Sequence, residues 1–166
     1  MTYEKYIGID PGLNGGIAIL HENLMLDLYI MPIIKGKHKE YDIHKLTEVL
    51  TSVGTTSVFC TIEKQQAMPK QGVSSTFKTG YGFGVLEGVV NTLNIPYQII
   101  TAKEWQKKIL VGVNKDKNTK QASALVSQRL YPHIDFRKTR RCKNLHDGLT
   151  DATCIMEYGR RLWNKN

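Results

Sequence analysis

The chain has 166 residues, and the 41% of them that are hydrophobic suffice for one folded domain with a substantial core. Its three cysteines show no CxxC spacing, which argues against a disulfide framework or a zinc site and favours reduced thiols in a cytoplasmic protein. No stretch approaches the roughly 20 apolar residues of a membrane span, the polar start does not resemble a secretion signal, and the net charge is +8.

The first part of the chain predicts an antiparallel meander followed by a helix. We expect strands over 3–10, 17–20 and 24–30, with a tight turn over 11–16, because proline fixes φ and glycine supplies positive φ. Short connections between sequential strands favour antiparallel pairing. Asp42 is expected to cap a helix that ends near residue 53 and has one apolar face.

From residue 57 onwards, strands and helices alternate. An apolar, β-rich run over 57–63 predicts a buried central strand, and a polar loop then leads to a helix over 74–93. The remaining predictions are a strand over 97–100 and helices over 103–110, 119–130 and 145–162. This order predicts an α/β fold in a single domain over 1–166. Its mixed five-stranded sheet combines a three-strand antiparallel meander with parallel strands, and helices flank both faces.

The positive charge is concentrated in about a quarter of the sequence. Residues 101–143 contain twelve Lys or Arg and three acidic residues, a net charge of +9, whereas the rest of the chain carries −1. A solvated charged face usually mixes both signs, so a polyanionic partner is favoured, and nucleic acid is the commonest one. An anionic membrane surface is a weaker alternative because no long amphipathic helix accompanies the charge.

Four carboxylates occupy positions that the predicted elements bring together. Asp10 ends the first strand and Glu63 ends the central strand, and the carboxyl ends of parallel neighbours meet at one sheet edge. Asp147 and Asp151 lie four residues apart on one face of the last helix, and His146 beside them is a further candidate ligand. Clustered anions repel one another, and a divalent cation removes that cost.

The residue types in this cluster indicate which metal to expect. Carboxylates with few His or Cys partners suit hard cations, so we expect two Mg²⁺ ions, for which Mn²⁺ can substitute. Two such ions can activate water and stabilise the leaving oxygen of a phosphodiester. Each residue also has an ordinary structural explanation: turn chemistry for Asp10, an exposed strand end for Glu63, and helix capping for Asp147.

Three basic segments are candidate contacts for DNA phosphates. Lys64 and Lys70 precede a helix start at Ser74 and Ser75, where N–H groups and hydroxyls can bind phosphate, although ordinary N-capping explains the serines equally well. The other candidates are Lys115, Lys117, Arg137, Lys138, Arg140, Arg141 and Lys143. Contacts of this kind provide affinity but carry little sequence information.

Gly80, Gly84 and Gly88 recur at four-residue intervals on one long predicted helix. Each glycine costs a helix about 1 kcal/mol relative to alanine, so a glycine face implies that another backbone approaches closely. That backbone belongs either to the sheet of the same chain or to another subunit.

Four segments, taken in order, resemble the RuvC-type Holliday junction resolvases of the ribonuclease-H-like superfamily, in particular bacteriophage-type members. They are IGIDPGLNGGIAIL, VFCTIEK, ILVGVNKDKNTKQASALV and HDGLTDA. The resemblance implies a Mg²⁺-dependent crossover junction endonuclease that acts in DNA recombination and repair, in the cytoplasm of a bacterium or a phage-infected host. It also implies cleavage that leaves 5′-phosphate and 3′-hydroxyl ends, and a homodimer with one active site for each of two symmetric cuts.

The same resemblance assigns roles to individual residues. The residues that match the family's metal ligands are Asp10, Glu63 and Asp151. The residues that match its catalytic lysine positions, near the scissile phosphate, are Lys107 and Lys120. The family's fourth ligand stands where this chain has Gly148, so Asp147 is the nearest candidate and His146 the alternative. Family members carry an aromatic wedge shortly after the central glutamate; residues 64–68 contain none, which predicts looser substrate choice.

Three other functions stay open as alternatives. The segment GIDPGLNGG also resembles the phosphate turn of actin-like ATPases and sugar kinases, but those proteins need two such domains and a second turn. The second alternative is a non-catalytic branched-DNA-binding protein that has kept the fold. The third is a ribonuclease-H-type nuclease for RNA–DNA hybrids, which nicking assays on hybrids and four-way junctions would distinguish.

Overall fold

The computed structural model describes residues 3–113 and 119–164. In chain order its elements are β1 (Lys5–Asp10), β2 (Gly16–Leu20), β3 (Leu26–Ile30), β4 (Ile33–Lys35), β5 (Lys39–Tyr41), α1 (Ile43–Thr51), β6 (Val58–Glu63), α2 (Val73–Thr92), β7 (Tyr97–Ile100), α3 (Ala102–Ile109), α4 (Thr119–Leu130) and α5 (Asp147–Trp163). A five-stranded sheet with the order β3-β2-β1-β6-β7 forms the centre, and β4 pairs separately with β5.

The strand pairing confirms the predicted mixed sheet. β2 runs antiparallel to both β1 and β3, whereas β6 runs parallel to both β1 and β7. In the β1–β6 ladder Ile9 lies opposite Ile62. The next residue of each strand is Asp10 or Glu63, so two acidic residues end neighbouring parallel strands at the same edge.

Helices cover both faces of the sheet, as predicted. Side chains alternate along a strand, so Ile7 and Ile9 pack in one core with residues of α1 and α2, whereas Tyr6 packs in the opposite core with residues of α5. A third apolar core joins α3, α4 and α5, and it contains the fully buried Trp105.

Glycines let α5 lie directly against the sheet and the β1–β2 turn. A Cβ at Gly8 would overlap the backbone of α5. A Cβ at Gly148 would lie 2.5 Å from the carbonyl carbon of Gly15 and 2.6 Å from the carbonyl oxygen of Asn14. These contacts hold the first turn of α5 beside the turn that follows Asp10.

One element was missed from the sequence, the β4–β5 hairpin. Its strands have only three residues each and lie in the largely polar segment 33–41, which lacks the apolar alternation that signals a strand. The other predicted elements are present, with ends displaced by at most two residues.

The structure excludes one of the two explanations proposed above for the glycine pattern on α2. Within the described residues, a Cβ at Gly80, Gly84 or Gly88 would meet no atom within 4 Å. The prediction that these glycines pack against the sheet is therefore wrong. Gly82 instead makes the close contact, because a Cβ there would overlap the ring of Tyr41. The contact with another subunit stays a prediction.

Two features bear on the composition arguments. None of the helices in the described ranges is long and apolar enough to cross a membrane. Cys60, Cys142 and Cys154 are all free thiols, and Cys60 and Cys154 are buried.

Candidate functional site

The four predicted carboxylates converge at the edge where β1 and β6 end. Asp10 and Glu63 come from the two strands, and the first turns of α5 bring Asp147 and Asp151 to the same edge. The convergence is evident from the electrostatics, because the negative charges of Asp151, Glu63 and Asp147 all act on Asp10.

Burial and like charge together raise the pKa values of Asp10 and Asp151. Burial raises the pKa of Asp10 well above its ordinary value, and the three neighbouring carboxylates raise it further. The pKa of Asp151 rises to about 6, mainly through burial, although a hydrogen bond from Ser123 opposes the shift. Such groups bind protons unless a cation compensates their charge. The edge therefore has an electrostatic requirement for positive charge.

Two polar side chains that the sequence analysis did not identify hold these carboxylates in place. The indole Nε1–H of Trp105, on α3, donates to Oε2 of Glu63 over 2.5 Å and opposes the rise that burial causes in the pKa of Glu63. The fully buried Ser123, on α4, hydrogen-bonds to Asp151. Both contacts link distant parts of the sequence, so no local motif signals them.

Lys120 supplies positive charge at the site, as its predicted role requires. Its Nζ lies 2.7 Å from Oδ2 of Asp147, whose side chain is half exposed. The Lys120 charge also lowers the pKa values of Asp10 and Asp151, against the stronger effect of burial. Lys107 lies exposed on α3, the helix that presents Trp105 to the site.

The chemistry of this donor set suits a divalent cation. Its four carboxylates repel one another, and oxygen ligands of this kind are those that Mg²⁺ and Mn²⁺ prefer. Within 3–113 and 119–164, no group of three or more His, Cys, Asp or Glu side chains lies close enough to hold one ion as it stands. Electrostatic coupling extends well beyond the ~2.0–2.1 Å of a Mg²⁺–oxygen bond. The carboxylates thus share one edge, and side-chain rotation would be needed to close them around an ion.

The two candidates for the fourth ligand have different surroundings. The charge of Asp147 acts on both Asp10 and Asp151, which favours Asp147. His146 precedes α5 and makes no side-chain capping bond; burial and the charge of Lys138 lower its pKa. Its buried Nδ1 has no hydrogen-bond partner among the described residues. An acidic residue at position 148 would clash with the β1–β2 turn, because a Cβ there would overlap the backbone of Asn14 and Gly15.

Known structures share this architecture. A structure of T. thermophilus RuvC in complex with a Holliday junction substrate aligns with a TM-score of 0.59 over 95% of this chain and 96% of that chain, at 15% identity. This chain has the RuvC fold. A second Thermus thermophilus RuvC structure aligns with a TM-score of 0.55 and 16% identity, over 96% of this chain and 97% of that one.

A eukaryotic relative of the RuvC fold also aligns. The yeast mitochondrial Holliday junction resolvase Ydc2 matches with a TM-score of 0.53 and 12% identity, over 95% of this chain and 77% of that one. No protein-family model and no curated protein matches the chain by sequence. At such low identities the likeness confirms the predicted fold.

Most of the predicted phosphate contacts are exposed on the surface of this fold. They are Lys64, Lys70, Ser74, Ser75, Lys138, Arg140, Arg141 and Lys143. Arg137 is engaged by Asp135 at 2.9 Å, and Lys115 and Lys117 lie outside the described residues. The charge of Lys138 acts on His146, so this lysine lies near the start of α5.

The start of α2 resolves one alternative left open by the sequence. Gly72 occupies the N-cap position and no side chain caps the helix. Ser75 instead accepts a hydrogen bond from the Gln71 amide at 3.0 Å. Ordinary N-capping by Ser74 or Ser75 is therefore wrong.

Proposed function

We propose that this protein is a metal-dependent, structure-selective DNA endonuclease that resolves Holliday junctions and related branched DNA. The observation that carries the proposal is the convergence of Asp10, Glu63, Asp147 and Asp151 at one edge of the sheet, where the pKa values of Asp10, Glu63 and Asp151 are raised. The shared fold adds support, since one matching structure is a RuvC complex with a Holliday junction substrate and another is a Holliday junction resolvase.

The carboxylates would hold the divalent ions, Mg²⁺ or Mn²⁺, with Asp147 as the fourth ligand. When bound, two such ions activate water and stabilise the leaving oxygen of a phosphodiester. Trp105 and Ser123 orient the Glu63 and Asp151 carboxylates through their hydrogen bonds.

The lysines and arginines contribute a second part of the mechanism. Lys120 and Lys107 would place positive charge beside the scissile phosphate, and the exposed basic residues before α5 would bind the flanking backbone. Hydrolysis leaves a 5′-phosphate and a 3′-hydroxyl. Because a four-way junction has two symmetric cut sites, the protein acts as a homodimer with one site for each. This activity belongs to DNA recombination and repair in the cytoplasm of a bacterium or of a phage-infected host.

The test uses purified protein with a labelled four-way junction, a linear duplex of matched sequence and an RNA–DNA hybrid. Each is incubated with Mg²⁺, Mn²⁺ or EDTA, and the nicks are then treated with DNA ligase, which seals only 5′-phosphate/3′-hydroxyl ends. We expect ligatable cuts in the junction with either metal and none in EDTA. Preferred cutting of the hybrid would instead identify a ribonuclease H. Binding of the junction without cleavage in either metal would identify a non-catalytic binding protein.

A further inference from the structure

A groove of about 630 Å³ opens beside the carboxylate edge, and only Ser74 and Ser75 of its lining belong to the predicted phosphate contacts. Residues 38–41, from the β4–β5 hairpin, line one side, and residues of the first turns of α2 line the other. Gly12, Leu13 and Gln65 complete the lining, and Gly12 and Gln65 each follow a metal-ligand candidate, Asp10 or Glu63, by two positions. The groove is therefore continuous with the proposed active site.

Two aromatic rings in this groove face solvent. Phe77 and Tyr81 lie one helical turn apart on α2, and their residues are 71% and 60% exposed. Their ring centroids are 6.3 Å apart and their planes differ by only 15°, so the rings are nearly parallel. Exposed apolar surface that clusters in one place marks a binding surface. Parallel ring faces are the arrangement on which planar nucleic-acid bases stack.

Charged and hydroxyl groups surround the rings. Lys39 on the hairpin and Lys78 on α2 both line the groove, together with the acidic Glu40 and the hydroxyl-bearing Ser74 and Thr79. Stacking faces for bases combined with cations and hydroxyls for a phosphate backbone are the two elements of a single-strand binding groove. A purely apolar partner would leave these lysines without a role.

Tyr41 fixes the groove relative to the carboxylates. Its hydroxyl accepts a hydrogen bond of 2.9 Å from the backbone N–H of Gly12, in the turn after Asp10. Its ring packs so closely on α2 that a Cβ at Gly82 would overlap it. One side chain thus ties the hairpin to both the active-site turn and the helix that carries the aromatic pair.

We propose that this groove binds unpaired nucleotides at the branch point of DNA, with bases stacked on Phe77 and Tyr81 and the backbone held by Lys39 and Lys78. Intact duplex offers no free base faces, whereas a branch point does, so the groove selects branched over linear DNA. The choice of branched DNA as the substrate rests on the proposed function, but stacking itself requires no cleavage.

The test measures DNA binding in EDTA by fluorescence anisotropy and compares the wild type with the double variant Phe77→Leu/Tyr81→Leu. The ligands are labelled oligothymidylate, a four-way junction and a linear duplex. Stacking is worth about 1–3 kcal/mol per base, so we expect affinity for the first two ligands to fall about tenfold or more, with little change for the duplex. A 2-aminopurine placed at the branch point should be quenched by the wild type and not by the variant.

Two control variants make the comparison specific. Phe77→Tyr/Tyr81→Phe keeps both rings and should bind as the wild type does. Leu125→Ala removes a side chain of a residue that is 55% exposed on α4, outside the groove, and should also leave binding unchanged. Loss of binding in the ring-preserving variant, or wild-type affinity in the leucine variant, would overturn the proposal.

Sedimentation distinguishes a different occupant of the same surface. If the leucine variant turns a wild-type dimer into a monomer and each protomer still binds oligothymidylate normally, the pair is an interface between copies and the proposal is overturned. Failure of the parent function gives a different result. A wild type that binds oligothymidylate through the aromatic pair but cuts no junction keeps the groove and refutes the resolvase. If the wild type cuts junctions while the leucine variant binds DNA normally, the resolvase proposal stands and the groove proposal is refuted.

Discussion

Two carboxylates of α5, Asp151 and Glu157, lie in opposite electrostatic environments. At the first turns, Asp151 is partly exposed and faces Glu63 and Asp147, and its pKa rises to about 6. Farther along, Glu157 is only 1% exposed, yet its pKa falls below the ordinary value. Burial pushes the pKa of Glu157 up, but hydrogen bonds from Arg160 and Arg161 outweigh it.

This contrast shows that burial alone does not identify a functional carboxylate. Glu157 has two guanidinium partners at 2.7 Å and contributes to stability as a satisfied ion pair. The edge carboxylates outnumber their cation, Lys120, and so carry an uncompensated negative charge. An excess of like charge at a partly open edge is the feature expected of a metal site.

The largest effect is expected at the edge itself. Glu63→Gln removes one negative charge but keeps the acceptor for Trp105, so the fold and DNA binding should persist while cleavage falls by about 10²–10³-fold or more, as when a key electrostatic group is removed. Rates of junction cleavage and junction affinity in EDTA measure the two separately. The matched control is Glu157→Gln, assayed well below its melting temperature. Equal losses of cleavage in both variants would contradict the distinction between a functional Glu63 and a structural Glu157.

The same Glu157→Gln change should be costly for stability. It leaves two guanidinium groups without their anion, and we expect a loss of roughly 2 kcal/mol in the free energy of unfolding, less than the ~3–5 kcal/mol of a fully buried pair because both arginines reach solvent. Urea denaturation of the two variants checks this. Glu63→Gln should be as stable as the wild type or more so; greater destabilisation by Glu63→Gln than by Glu157→Gln would contradict the assignment.

The pH dependence of stability should differ between Asp151 and Glu157. The pKa of Asp151 is higher in the folded state than its ordinary value, so the metal-free protein should lose about 1–2 kcal/mol of stability from this group as the pH rises from about 4 through 6. Glu157 acts in the opposite sense, because its lowered folded pKa gives stability that is lost as the pH falls. Denaturation in EDTA across this range should show a shallower decline for Asp151→Asn than for the wild type.

The smallest effect is expected from single basic residues around the edge. Lys138→Gln should weaken junction binding only a few-fold and reduce the slope of log affinity against log salt by about one. Lys5 is a suitable control, because it starts β1, at the opposite end of that strand from Asp10, and its Nζ donates to the carbonyl of Val53 at 2.8 Å. If Lys5→Gln changes the slope as much as Lys138→Gln does, DNA does not bind at the carboxylate edge.

The sequence was informative where local patterns determine structure. Apolar alternation and the glycine-proline turn placed Asp10 and Glu63 at strand ends, and helical spacing placed Asp147 and Asp151 on one face. Trp105 was not predicted as a partner of Glu63, since 42 residues separate them and only the packing of α3 brings them together. The hairpin that lines the aromatic groove was missed because its residues are mostly polar.

The glycines of α2 show another limit of the sequence. Their spacing indicated a close contact, but the residue that makes one within the chain is Gly82, whose partner Tyr41 lies on the unpredicted hairpin. A helical pattern specifies which residues share a face and not which element covers it.

The central claim, that the edge carboxylates form a divalent-cation site, is tested most directly by thermal unfolding of the metal-free protein titrated with Mg²⁺ or Mn²⁺. A ligand that binds only the folded state raises the melting temperature with its concentration. We expect this rise in the wild type and in Glu157→Gln, and its loss in Asp10→Asn. A melting temperature that does not change with either metal, or that rises equally in Asp10→Asn, would contradict the metal site.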